Sequence, residues 1–280
     1  MQRSNAVKRI TAFIGTARKK HTYNAVREFL DRLEALGGVE CEIVTLSDYR
    51  IETCRGCKQC FEKGEEFCPL KDDRDALIEK IMASDGVVFA SPNYSFQVSA
   101  FMKAFLDRLG FLFHRPRFQG KAFTSIVVQG LYGGRKIVKY LGFVGVGLGF
   151  DVVKGSCATA LEPMTAKEQQ KRDKALTKQS KRFHKVLAKS SNHVPTLLQL
   201  MMFRMARTSI RITLDDSYRD YTYYSEHGFF ESDYYYPTRL GVPKRSAGSL
   251  FDSIFARIYK ARAEQESLVR GNLGASSNEH

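Results

Sequence analysis

No stretch of this chain approaches the ~18 consecutive apolar residues that a membrane-spanning helix needs, although 43% of its 280 residues are hydrophobic. The opening, MQRSNAVKRITAFIG, has a basic start but no long apolar segment and no small-residue cleavage site. No signal peptide is read in it, and the expected location is cytoplasmic, where thiols stay reduced. Histidines are few and scattered: His21, His114, His184, His193, His227 and His280 form no H-x-x-x-H or other paired pattern. Each is read as structural or exposed. No internal repeat is present, and the fingerprints of helix-turn-helix, paired-zinc and RNP nucleic-acid binders are missing. Acidic residues are in short supply, 30 against 44 basic ones, for a net charge of +14. That balance favours an acidic partner: nucleic acid, an anionic surface, a phosphorylated cofactor or an acidic protein.

What is present is an alternation. RITAFIG, VECEIVTL, DGVVFASP, KAFTSIVVQG and FDVVKGSCAT read as strands, rich in β-branched and aromatic residues. Between them lie YNAVREFLDRLEALGG, with Val26, Phe29, Leu30, Leu33 and Leu36 on one face, then DDRDALIEKIMAS, SAFMKAFLDRLGFLF and GRKIVKYLGFVGVGLG. These read as helices. Five strands separated by helices predict an α/β fold with a doubly wound parallel sheet, whose ligands bind beyond the carboxyl ends of the strands. The domain is placed at residues 1–162. Residues 163–280 form a helical, aromatic-rich C-terminal extension: a lysine-rich helix with a thin stripe (Leu176, Phe183, Val186, Leu187), a more apolar helix, a tyrosine-rich segment from Tyr218 to Tyr236, a last helix over SLFDSIFARIYKARAEQ, and a frayed tail NLGASSNEH. The tyrosines are read as core and interface, with a capping role over the active site of the same or a neighbouring subunit as the other reading.

Three loops at the predicted ligand end carry chemistry. GTARKKHTYN brings hydroxyls, a guanidinium and backbone N–H groups to a helix start, a phosphate site in form. It lacks the G-x-G-x-x-G of dinucleotide binders and suits a single phosphomonoester. SPNYSFQVSAFMKAFLDR presents an irregular loop with an aromatic edge. In QGLYGGRK, Gly133 and Gly134 permit close backbone approach and Tyr132 can stack on a planar ligand. Each loop also has a plain structural reading as a capped helix start or a βα turn.

Taken in order, these loops, the D-D helix start after a cysteine loop, and the A-x-x-K-x-x-x-D-R run at Ala100, Lys103, Asp107 and Arg108 resemble the flavodoxin-like NAD(P)H-dependent FMN reductases over residues 8 to 160. The resemblance implies FMN as cofactor and NAD(P)H as hydride donor. It implies phosphate contacts at Thr16, Arg18 and Thr22. Pro92, Asn93, Tyr94 and Phe96 are expected along the isoalloxazine, and Gln129, Tyr132 and Gly133 on its far side. It also implies a homodimer or higher homo-oligomer. The sequence departs from the family at Ala17, where Pro is usual, and at His21, where Asn is usual. Flavin N5 would carry the chemistry, so no catalytic side chain is expected.

The stretch CRGCKQCFEKGEEFC holds four of the six cysteines, Cys54, Cys57, Cys60 and Cys68, spaced C-x2-C-x2-C-x7-C and followed by Pro69. Two successive C-x2-C steps let three thiolates face one point, as a cubane cluster needs, and ferredoxin-type runs share the compact triplet. Zinc sites more often use two separated pairs. Cluster, zinc and free thiols all stay open on spacing. The run is similar to that of the iron-sulfur flavoprotein branch of the family, which implies a [4Fe–4S] cluster; the last gap is long for that branch. Cys41 and Cys157 read as small core residues. A cluster beside a flavin would hand single electrons to a small molecule or to an acidic redox protein such as a ferredoxin, with the lysine-rich helix as docking face or as a plain solvated surface. The other readings are a flavoprotein that carries or senses electrons without turnover and a basic nucleic-acid-binding protein.

Overall fold

The computed structural model describes residues 7–188 and 193–276, the segment 266–276 as backbone only. The opening MQRSNA, and His280 with the end of the expected tail, lie outside the described residues; the last helix itself runs on to Ser276. By their contacts the residues form two compact units, Met1–Gly56 with Pro69–Ser191, and Cys57–Cys68 with Asn192–His280.

The first unit is a parallel sheet. Its strands are β1 (Lys8–Ile14), β2 (Val39–Thr45), β3 (Gly86–Pro92), β4 (Ala122–Gln129) and two short pieces, β5 (Asp151–Val152) and β6 (Ser156–Thr159). Their order is β2-β1-β3-β4-β5, with β6 also on β4. The central β3, GVVFASP, is buried at every residue, as a strand covered on both faces must be. Helices α1 (His21–Glu34), α2 (Arg74–Ala83), α3 (Ala100–Arg108), α4 (Gly134–Gly147) and α5 (Ala166–Leu187) connect and cover it. Leu36, expected on the apolar face of α1, falls beyond its end and is exposed.

Alternation along the strands divides the core. Ile10, Ala12, Ile14, Val88, Ala90, Ile126 and Val128 face α1 and α5, packing on Phe29, Leu30, Leu176, Phe183 and Leu187. The thin stripe of the lysine-rich helix thus lies against the sheet, and α5 acts as a further covering helix of the α/β layer. Phe13, Phe89 and Phe123 point the other way and pack edge-on or stacked with each other, Phe105 and Phe150.

The fifth strand position is built in two pieces because of a bulge. Asp151 and Val152 pair with Ala122 and Phe123, whereas Ser156 pairs with Ile126, so three residues oppose two. Gly155 sits where a Cβ would come within 2.3 Å of Ser125 Oγ and 2.4 Å of its carbonyl oxygen. Gln179 of α5 plugs the gap, donating to Thr124 Oγ1 at 2.8 Å and to the Ser125 carbonyl at 3.0 Å and accepting from Ser156 Oγ.

The second unit holds Cys57–Cys68, three of the four closely spaced cysteines, with a single turn α6 at Gln59–Glu62, and α7 (Leu197–Thr213), α8 (Arg219–Glu226) and α9 (Val242–Ser276). A capping box of Thr196 and Gln199 starts α7. Leu200, Phe203, Tyr223, Tyr224, Phe229 and Tyr234 make its core, so the tyrosine-rich segment is largely interior. Buried Arg204 is held by Asp233 at 2.5 Å and Asp252 at 2.7 Å. Turn α6 packs on α8. Tyr235 is driven well above the ordinary tyrosine range by burial, then by Tyr224, whose hydroxyl lies 3.1 Å away.

Candidate functional site

The site is built by three loops at the carboxyl end of the sheet. The first leaves β1 at Gly15, whose N–H bonds the Ala90 carbonyl at 2.8 Å and whose carbonyl accepts from Ser99 Oγ. Thr16 and Thr22 are buried. Helix α1 begins at His21 with no side chain capping its first turn, which leaves N–H groups and the positive end of the helix dipole for an anion.

The second loop is a tight reversal after β3. Tyr94 N–H donates to the Gln97 carbonyl at 3.1 Å and Gln97 N–H returns a bond to Tyr94 at 2.9 Å. Both central residues, Ser95 and Phe96, have positive φ, 48° and 63°. That matches a type I′ turn without its usual Asn or Gly, a strained conformation of the sort that concentrates at binding sites. Arg18 Nη2 reaches Tyr94 OH at 3.4 Å, joining the first two loops.

The third loop follows β4. Gly133 has φ 94°, and a Cβ there would meet Phe96 at 2.8 Å and Asn93 Nδ2 at 3.2 Å. Asn93 donates to the Tyr132 carbonyl at 2.8 Å, and Gln129 accepts from Gly134 N–H at 2.8 Å. The rings of Phe96 and Tyr132 lie 5.3 Å apart.

These loops enclose an open pocket of ≈ 280 Å³ lined by Thr16, Arg18, Thr22, Pro92, Asn93, Tyr94 and Gln129, all read from the sequence as ligand contacts. Phe96, Tyr132 and Gly133 stand at its edge through the contacts just given. Six further residues line it: Lys20, His21, Val128, Gly130, Ala160 and Glu162, of which Lys20, His21 and Glu162 carry ionisable side chains. His21, expected from the sequence as structural or exposed, instead lines the pocket, with its Nε2 2.9 Å from Glu162 Oε1. The signals available were the family departure at His21 and the place of Glu162 just past the last strand.

Away from the pocket lining, the D-D and D-R motifs meet. Arg108 Nη2 and Nε donate to the two oxygens of Asp72 at 3.0 and 3.2 Å, with both side chains buried. Burial pushes the Asp72 carboxyl upward, but bonds from Arg108 and from the Glu52 and Arg74 N–H groups outweigh it and hold it below the usual carboxylate range.

The cysteines do not make a comparable site. Cys54 and Cys57 are exposed, Cys60 is partly buried and Cys68 buried. Among the described residues no three His, Cys, Asp or Glu side chains are grouped to hold a metal ion. The thiols therefore do not fit a cluster in the arrangement described. Cys41 is pushed up to about 12 by burial and by Glu34, and Cys157 is raised by burial; both are poor nucleophiles.

The fold is that of a doubly wound α/β protein with an open pocket at the strand ends. The chain belongs to the NADPH-dependent FMN reductase family, whose model matches residues 8–161. It is 40% identical over 128 residues to an iron-sulfur flavoprotein of Archaeoglobus fulgidus, covering 42% of this chain and 57% of that protein. It is 29% identical over 128 residues to an iron-sulfur flavoprotein of Methanosarcina thermophila, covering 45% and 65%. The chain thus spans less than two-thirds of either relative. A solved flavone reductase shares the fold, with a TM-score of 0.50 at 16% identity over 64% of this chain and 62% of that one. Among the described residues no helix is long and apolar enough to cross a membrane.

Proposed function

We propose that the chain is an FMN-dependent oxidoreductase that takes electrons from NAD(P)H or a ferredoxin and passes them to a small-molecule or protein acceptor. The observation that carries this is the convergence, in one pocket, of an uncapped helix start with two buried threonines and of a ring-edge loop whose Asn93 Oδ1 is buried without a partner. An orphaned buried acceptor calls for a donor, and a flavin ring has an N–H to give, so the residues fit the group. Thr16, Thr22, Arg18 and the first-turn N–H groups of α1 would hold the phosphate. Pro92, Asn93, Tyr94 and Phe96 would border the ring, with Gln129, Tyr132 and Gly133 on its other side. Bound FMN supplies hydride acceptance and the step from two-electron to one-electron chemistry. The side chains bind and orient; none is assigned a proton transfer.

Residues 1–162 are proposed as the flavin domain and 163–280 as its extension, in a cytoplasmic protein. A homodimer is supported by the exposed rim of Phe96, Leu131 and Tyr132, which a second subunit would cover. An acidic redox partner is supported by Lys171, Lys174, Lys178, Lys181 and Lys185, exposed along α5. For Cys54, Cys57, Cys60 and Cys68, the spacing and the name borne by the relatives support a [4Fe–4S] cluster, while the described thiol positions do not. The proposed reaction runs without it.

The test is the visible spectrum of anaerobically purified protein with iron and sulfide assays. Yellow flavin bands are expected, and ~4 iron per chain if the cysteines hold a cluster. A colourless protein that takes up no FMN overturns the flavin reading.

A further inference from the structure

The phosphate end of the pocket contains a group of the wrong sign. Beside Arg18, Lys20 and His21 stands the carboxylate of Glu162, and it is bonded at 2.9 Å to the imidazole Nε2 of His21, the first residue of α1. The backbone leading to it is anchored, since Ala160 N–H bonds the Gln129 carbonyl at 2.9 Å. Glu162 is nonetheless the more exposed partner, its side chain 74% accessible against 37% for His21. The histidine is seated on the first turn of α1, and the carboxylate is the half with more open solvent around it.

We infer that Glu162 is an internal competitor of the flavin phosphate and that His21 is the group they compete for. The inference rests on the flavin reading and adds two residues to it. A phosphate dianion entering between the α1 start and Arg18 meets a carboxylate already there, and like charges in one site repel. Binding therefore requires Glu162 to release His21, which then turns its Nε2 to the phosphate as a charge-assisted donor. The exposed pair is individually weak, so the competition sets affinity without blocking entry. A flavin lacking the phosphate makes no demand on the pair.

The experiment is a fluorescence-quenching titration of the full chain, freed of flavin, with FMN and separately with riboflavin. Glu162→Gln is expected to tighten FMN by about fivefold and to leave riboflavin unchanged. In a His21→Asn background the same substitution is expected to lose most of that gain, since the object of competition is gone. An FMN affinity unchanged or weakened in Glu162→Gln, or a gain equal for riboflavin, overturns the inference while leaving the flavin reading intact. A gain undiminished in the His21→Asn background overturns the role given to His21. Wild-type protein that quenches neither flavin sinks the flavin reading, and the inference falls with it.

Discussion

The pocket at the sheet end and the cysteine segment are both made of loops, and they are organised differently. The pocket loops are tied to fixed backbone: Gly15 to Ala90, Asn93 to Val128 at 2.7 Å, and Gln129 to Gly134. Their side chains converge before any ligand arrives. Within Cys57–Cys68 the backbone bonds include short-range ones, such as Phe61 to Lys58 and Cys68 to Glu65, and among the described residues no three metal-binding side chains are grouped. A preorganised site shows itself without its ligand. A metal site can be completed by the metal, because ligand geometry and metal binding form together.

The largest effect is expected at the buried ion pair of the first unit. Replacing Arg108 by Leu leaves Asp72 charged and buried, and is expected to cost about 3–5 kcal/mol in urea unfolding; the double change with Asp72→Asn should recover part of it. The Asp72 carboxyl is held below its ordinary value, so its contribution is full above about pH 4 and disappears as pH falls through the depressed folded value. The wild type should therefore lose more stability on acidification than the double variant.

Next in size, Gly133→Ala forces a Cβ into Phe96 at a left-handed backbone position. A loss of about 1–3 kcal/mol is expected, with FMN and riboflavin both weakened. A smaller and more selective effect is expected of Arg18→Ala: FMN affinity falling about tenfold, one charge-assisted bond, while riboflavin binds as before. Equal losses for both flavins would move Arg18 away from the phosphate. The smallest effect belongs to the other region. Cys57→Ser, at an exposed position, is expected to change stability by less than about 0.5 kcal/mol and to spare flavin binding, and to abolish iron uptake if the wild type takes up iron. A large loss of flavin binding would mean that the two regions are coupled.

The same division governs what could be read from the chain itself. The strands β1, β3 and β4 were legible because they are continuous β-branched and aromatic runs buried on both faces, the helices because each buries one face, and the three pocket loops because chain order places them at the same end of a parallel sheet. The apolar stripe of α5 was visible, but its partner was not, since a helix pattern does not say which surface it covers. Glu162 has only its place just past the last strand to mark it, which does not say that its carboxylate meets His21 through the fold. Cysteine spacing says which thiols can meet; it does not say whether they do so without a metal.

The bulge in the fifth strand carries a consequence for how this protein tolerates length change. Side chains beyond it depend on the phase of the strand: Ala158 turns into the core shared with α1 and α5, and Cys157 toward Gly134. Removing one residue from Val153–Gly155 would leave two residues opposite two and close the bulge, with Ser156 still paired to Ile126. A residue inserted after Ser156 would instead shift the phase by a half period, turning Cys157 into the α1 layer and displacing every position after it, Glu162 included. A one-residue change would thus be absorbed within the bulge and felt at the mouth of the pocket only when it falls beyond it.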